Sequence, residues 1–112
     1  MNSYAWAWLV LSASIAVEIA GTLALRQSQG FSRMVPAVYC GACYVAAVWL
    51  MGIALRRLDV GVTYAVWAAG GTAGTAVMGM WLYNEPYAVS RLLGLSLIVI
   101  GVAVLNWQGP HA

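Results

Sequence analysis

The sequence predicts an all-α membrane protein built as a bundle of four transmembrane helices. Three observations carry this. The 112 residues are 63% hydrophobic and only 7% charged, against roughly 45–50% and about 25% in soluble domains. Four long apolar runs each approach the ~20 residues that cross ~30 Å of hydrocarbon. The connections between them are a few residues long, which leaves no room for a soluble domain, so residues 1–112 are expected to form a single membrane domain. The mean hydropathy is +0.84.

The first run, about residues 4–25, opens with Tyr4, Trp6 and Trp8, aromatic residues that suit a membrane interface. It is read as a retained span rather than a signal peptide: it lacks a basic leader, exceeds the about 7–15 apolar residues of such segments, and carries an acid in its middle. That acid is Glu18. A charge near the bilayer centre costs roughly 2.5–3.5 kcal/mol on insertion scales, so such residues face a bundle interior or a wet cavity and serve ion or substrate passage. At helical spacing around it lie Leu11, Ser14, Gly21, Thr22 and Leu25, a stripe of small or hydroxylated residues that leaves space beside the carboxylate. Glu18 is the candidate functional residue.

A loop of Arg26–Arg33, with Gln27, Ser28, Gln29 and Gly30, leads to the second run, about residues 34–55. It contains Cys40 and Cys43, a C-x-x-C spacing that elsewhere signals redox or metal chemistry. Here the only His is His111 in the C-terminal tail, so one chain cannot assemble a four-ligand zinc site. The two cysteines are read as soft packing residues, and neither metal nor cofactor is expected.

After Arg56–Asp59 comes the third run, about residues 60–83. Tyr64, Trp67, Gly71, Gly74 and Met78 recur there every three or four residues, placing two aromatics and then a smooth patch on one face. Ala68-Ala69-Gly70-Gly71-Thr72-Ala73-Gly74 allows close backbone approach or a bend. Small-residue helix packing explains the glycines equally well, but not Glu18. Tyr64 and Trp67 lie only a turn or so from the run's start, so an interfacial role for them stays open.

Trp81, Tyr83 and Tyr87 flank Asn84–Pro86, where a proline suits a fresh helix start. The fourth run, about residues 87–107, ends at Trp107 and has no ionisable residue after Arg91. Gly94 and Gly101 stand seven apart on a seam with Ser90 and Leu97, which reads as a helix–helix contact face.

Five arginines against Glu18, Asp59 and Glu85 give a net charge of +2, with no Lys. These charges are scattered, so no nucleic-acid surface exists. Arg26, Arg33 and Arg91 fall on one side of the membrane and Arg56 and Arg57 on the other. Loop arginines set orientation, and three against two is almost no bias. Two copies inserted in opposite directions could then pair as an antiparallel, dual-topology dimer.

These residues resemble the small multidrug resistance transporters, over Tyr4 to about Asn106. The likeness rests on four short helices with a Glu in the first, on Gly30-Phe31-Ser32-Arg33-Met34-Val35-Pro36, and on Gly61-Val62-Thr63-Tyr64-Ala65-Val66-Trp67. It implies antiparallel dimers in the bacterial inner membrane that exchange protons for cationic substrates. It also implies roles: Glu18 as the shared proton and substrate carboxylate, Tyr64 and Trp67 as chamber aromatics, Tyr44 as the second-helix tyrosine of drug exporters, and Gly94 and Gly101 as a dimer contact. Ser14, Gly21 and Thr22 join this chamber from the face of Glu18. The chain departs from the family pattern at Arg26, where Lys is usual, at Ala47, where Ser is common, at Ala68, where Ser or Thr is common, and at Ala69-Gly70-Gly71, where G-x-G marks a kink. Gly21-Thr22 after Glu18, where guanidinium exporters have a Trp, together with Tyr44 favours the multidrug branch. A guanidinium exporter, or one subunit of a heterodimeric pair, is the alternative.

The physics of such a site does not depend on the family. An apolar chamber, and a second like charge if two copies of Glu18 face each other, both disfavour the ionised form, which makes the carboxylate exchangeable. A lipophilic cation that binds only the deprotonated pair competes with protons. Aromatic faces hold it by cation–π attraction, about 2 kcal/mol or more when desolvated, and demand no particular shape. A passive channel would need rings of polar residues that one carboxylate per chain does not provide, and a purely structural protein would leave Glu18 without a purpose.

Overall fold

A computed structural model describes residues 3–107. Among these residues there are four helices and no strand: α1 Ser3–Gln27, α2 Met34–Ala54, α3 Val60–Leu82 and α4 Val89–Asn106. In hydrocarbon every backbone N–H and C=O must find its partner inside the segment, which leaves the helix as the available form for these apolar runs. Among the described residues, α1, α2 and α4 are long and apolar enough to cross a membrane. At 23 residues α3 is as long, and its Gly and Thr residues lower its hydropathy. His111 lies outside the described residues.

The most extensive packing joins α1 to α2, and α3 lies against α1. The buried residues explain the first pair. On α1 they are Ala7, Leu11, Ser14 and Gly21, with Ser28 just past its end; on α2 they are Cys40, Ala47 and Ala54. A seven-residue repeat of small side chains thus runs along each helix, and small residues at this spacing let two backbones approach closely. Cys40 is buried in this seam and Cys43 packs beside Gly21, both as free thiols.

The α1–α2 turn is tied by Ser28. Its Oγ donates to the Leu25 carbonyl at 2.7 Å and accepts from Phe31 N at 3.0 Å, while Arg33 N donates to the Ser28 carbonyl at 3.0 Å. Gln29, Gly30 and Phe31 all take left-handed backbone angles there. Pro36 falls in the first turn of α2, where a missing N–H costs nothing.

α3 runs as one continuous helix from Val60 to Leu82 through its glycines. The start of α4, expected at about residue 87, lies at Val89. Asn84 turns left-handed (φ 54°), Ala88 stays extended as the N-cap, and Arg91 reaches back to Pro86 O at 3.1 Å, so Pro86 belongs to the loop and does not open the helix. α4 packs chiefly on α3 and buries none of its own residues.

Candidate functional site

Glu18 projects from the middle of α1 into a cavity of about 640 Å³ between α1 and α3. Trp67, Ala68 and Gly71 line its wall, and Arg26, Tyr83, Glu85 and Arg91 line its mouth. The carboxylate is positioned from three sides. Thr22, one turn along the same helix, donates from Oγ1 to Glu18 Oε2 at 2.7 Å. Tyr44 OH lies 2.7 Å from the same Thr22 oxygen. A threonine hydroxyl has one proton, so when Glu18 is ionised that proton goes to the carboxylate, Tyr44 donates to Thr22, and a directed chain runs Tyr44 to Thr22 to Glu18.

The third side is Gly71. A Cβ built there would collide with Glu18 Oε1, so the absence of a side chain on α3 makes the space in which the carboxylate sits. Gly21 does the same for Tyr44: a Cβ there would stand 2.9 Å from two carbons of the tyrosine ring. The Gly21-Thr22 pair therefore admits Tyr44 from α2 and then uses its hydroxyl.

Trp67 is held by its ring nitrogen. Nε1 donates to Ser14 Oγ at 2.9 Å, and Ser14 Oγ in turn donates to the Ala47 carbonyl at 2.6 Å. Ser14 is fully buried, so it stands behind the chamber wall. Tyr64 packs its ring on Trp67, centroid to centroid 6.0 Å and tilted by 35°. It is 59% exposed and does not line the cavity, so a single chain leaves it on the outer surface.

The mouth carries charges that periodicity alone did not single out. Arg26 stacks over the Tyr83 ring with its guanidinium carbon 4.0 Å from the centroid, and Gln27 Nε2 reaches Tyr83 OH at 3.5 Å. Arg91 pairs with Glu85 at 3.4 Å. The small residues repeating every seven along α1 and α2 were the available signal for the seam that fixes Ser14. Nothing in the sequence marked Tyr83 as the partner of Arg26.

Of the residues the sequence singled out, the structure sets Glu18, Thr22 and Trp67 in the cavity wall, with Tyr44 and Ser14 hydrogen-bonded behind it and Gly21 packed against Tyr44. It does not bring Gly94 or Gly101 to that site. At both positions no described atom lies within 4 Å of where a Cβ would stand, and Gly101 lines a separate groove of about 340 Å³ between α3 and α4.

Comparison with known proteins gives a consistent picture. The sequence profile of the Small Multidrug Resistance protein family matches residues 6–98. The nicotine metabolites export pump subunit NepA of Paenarthrobacter nicotinovorans is 40% identical over 101 residues, covering 90% of this chain and 87% of its own length. The quaternary ammonium compound-resistance protein QacF of Klebsiella aerogenes is 39% identical over 99 residues, covering 88% and 90%. A guanidinium exporter of Yersinia pestis is 35% identical over 100 residues, covering 89% and 96%.

Proposed function

This chain belongs to the small multidrug resistance family of bacterial inner-membrane efflux transporters, and from that premise we propose that it is a proton-coupled antiporter exporting lipophilic or quaternary cations. The observation that carries this reading is the Glu18 carboxylate, held by Thr22 at 2.7 Å inside a cavity walled by Trp67.

The chemistry follows from the arrangement. A deprotonated Glu18 attracts a cation, and a protonated one does not, so cation and proton compete for one site. The Trp67 face adds attraction without a fixed hydrogen-bond pattern, which suits a family of cations differing in shape. If the cavity opens to one side of the membrane at a time, inward movement of protons drives outward movement of cations.

One chain encloses this site incompletely. Tyr64 is exposed and α4 buries none of its residues, which supports an assembly of two chains. With three arginines against two on the two sides, an antiparallel homodimer is the arrangement we favour. A second reading, one subunit of a heterodimeric pair, draws support from the description of NepA as a pump subunit. Substrates smaller than quaternary ammonium compounds are the alternative that the 35% identity to a guanidinium exporter keeps in view.

The test is a binding titration of purified protein with tetraphenylphosphonium and, separately, guanidinium across pH. Tetraphenylphosphonium affinity should fall as pH is lowered, since protons occupy the carboxylate. A pH-independent affinity would defeat the antiport mechanism, and a response to guanidinium alone would move the chain to the other branch.

A further inference from the structure

Ser14 is a side chain whose hydrogen bonds connect three helices at once. It sits on α1, its hydroxyl proton goes to the Ala47 carbonyl of α2 at 2.6 Å, and its oxygen accepts the indole N–H of Trp67 on α3 at 2.9 Å. The directions are forced. An indole nitrogen can only donate, and a serine hydroxyl has a single proton. The Ala47 carbonyl lies within α2 and has a second lone pair beside its helical bond. Ser14 is 0% exposed, so water cannot replace it.

We propose that Ser14 is a positioning residue that locks the Trp67 indole in the orientation presenting its aromatic face to the cavity and keeps its N–H away from Glu18. An indole N–H in an apolar wall must find an acceptor. The Glu18 carboxylate, a strong acceptor, lines the same space as Trp67. Without Ser14 the indole turns toward that carboxylate, occupying it and rotating the π-face out of the cation's path. Binding of a cation then has to break that bond first. With Ser14 present, Trp67 is held at its nitrogen edge and braced on one face by Tyr64 at 6.0 Å, so its orientation is set before the substrate arrives. Position 47 carries no hydroxyl of its own, and the serine on α1 supplies the acceptor for the α3 indole while tying it to the α2 backbone. This inference rests on reading the cavity as the cation site.

The experiment uses full-length protein in lipid with ring-15N tryptophan, the Trp67 Nε1–H resonance being assigned by its loss in Trp67→Phe. Ser14→Ala should move that resonance and weaken tetraphenylphosphonium binding roughly fivefold, the size expected of one hydrogen bond. Ser14→Thr, which restores a hydroxyl, should return both toward wild type. Ser12→Ala, whose hydroxyl bonds only the Trp8 carbonyl of its own helix at 2.9 Å, should change neither. In a Trp67→Phe background Ser14→Ala should add no further loss. An indole resonance unmoved in Ser14→Ala, or an equal loss of binding in the Trp67→Phe background, overturns the assignment. The resonance reads the clamp without any substrate: if wild-type protein bound no tetraphenylphosphonium while Ser14→Ala still moved the indole, the functional reading would fail and the clamp would stand.

Discussion

The α1–α2 seam and the α4 helix are made from similar residues and behave oppositely. Along the seam, small residues at every seventh position are buried inside the chain: Ala7, Ser14 and Gly21 on α1, and Cys40, Ala47 and Ala54 on α2. On α4 the same spacing, Gly94 to Gly101, meets open space, and no residue of the helix is buried. Lipid tails are as apolar as leucine, so an apolar helix gains little by leaving lipid unless it fits closely against a partner. The seam has found its fit within one chain. α4 has not, and an assembly of two chains is what we propose for it.

The division is tested most severely at the carboxylate. Glu18→Gln should abolish proton-driven cation uptake into vesicles and remove the pH dependence of binding, because an amide neither ionises nor exchanges a proton. Uptake at the wild-type rate in this variant would sink the mechanism.

Next is the contact face. Gly94→Leu and Gly101→Leu should dissociate the dimer and stop transport while leaving helix content by circular dichroism unchanged. Val99→Leu, at an exposed position on the same helix, should do little. Sedimentation in detergent decides, and persistent dimers in both glycine variants would place the contact on another helix.

Orientation comes third. Two lysines added near the C-terminus should fix the insertion direction and lower activity, and mixing with an oppositely fixed variant should restore it. Labelling of single introduced cysteines from each side reads the direction. Wild-type label from one side only would mean a single orientation and would point to a different partner chain.

Within the site, Gly71→Ala places a methyl group against the Glu18 carboxylate. Overpacking of this kind costs roughly 1–3 kcal/mol, so tetraphenylphosphonium binding should weaken about tenfold or more. Gly41→Ala on α2, where no described atom lies within 4 Å of the added carbon, should bind normally. Equal behaviour of the two would show that Gly71 does not shape the site.

The smallest effect belongs to the mouth. Glu85 and Arg91 pair at 3.4 Å with about a third of each side chain exposed, and such pairs contribute roughly 0–1 kcal/mol. Glu85→Gln should shift thermal stability by no more than a few degrees and shift it less at high salt. A loss of transport matching Glu18→Gln would make Glu85 a second site carboxylate.

The sequence by itself determined the membrane class, the four helical spans and the singular position of Glu18, because each of these depends on the cost of placing a residue in hydrocarbon, which is a property of the residue and its run. It also put Ser14, Thr22 and Glu18 on one face of α1 and Tyr64 and Trp67 on one face of α3, because helical periodicity is local. Only the tertiary structure decided what those faces meet. Thr22 serves the carboxylate, Ser14 serves the indole, Gly71 opens the space for the acid, and Tyr64 is left outside. These outcomes depend on how far each helix is rotated about its axis and slid along its neighbour. In a medium as apolar as the side chains themselves, hydrophobic pattern hardly constrains either quantity. Close approach of small residues and single hydrogen bonds between helices fix them instead, and those exist only once the helices are together.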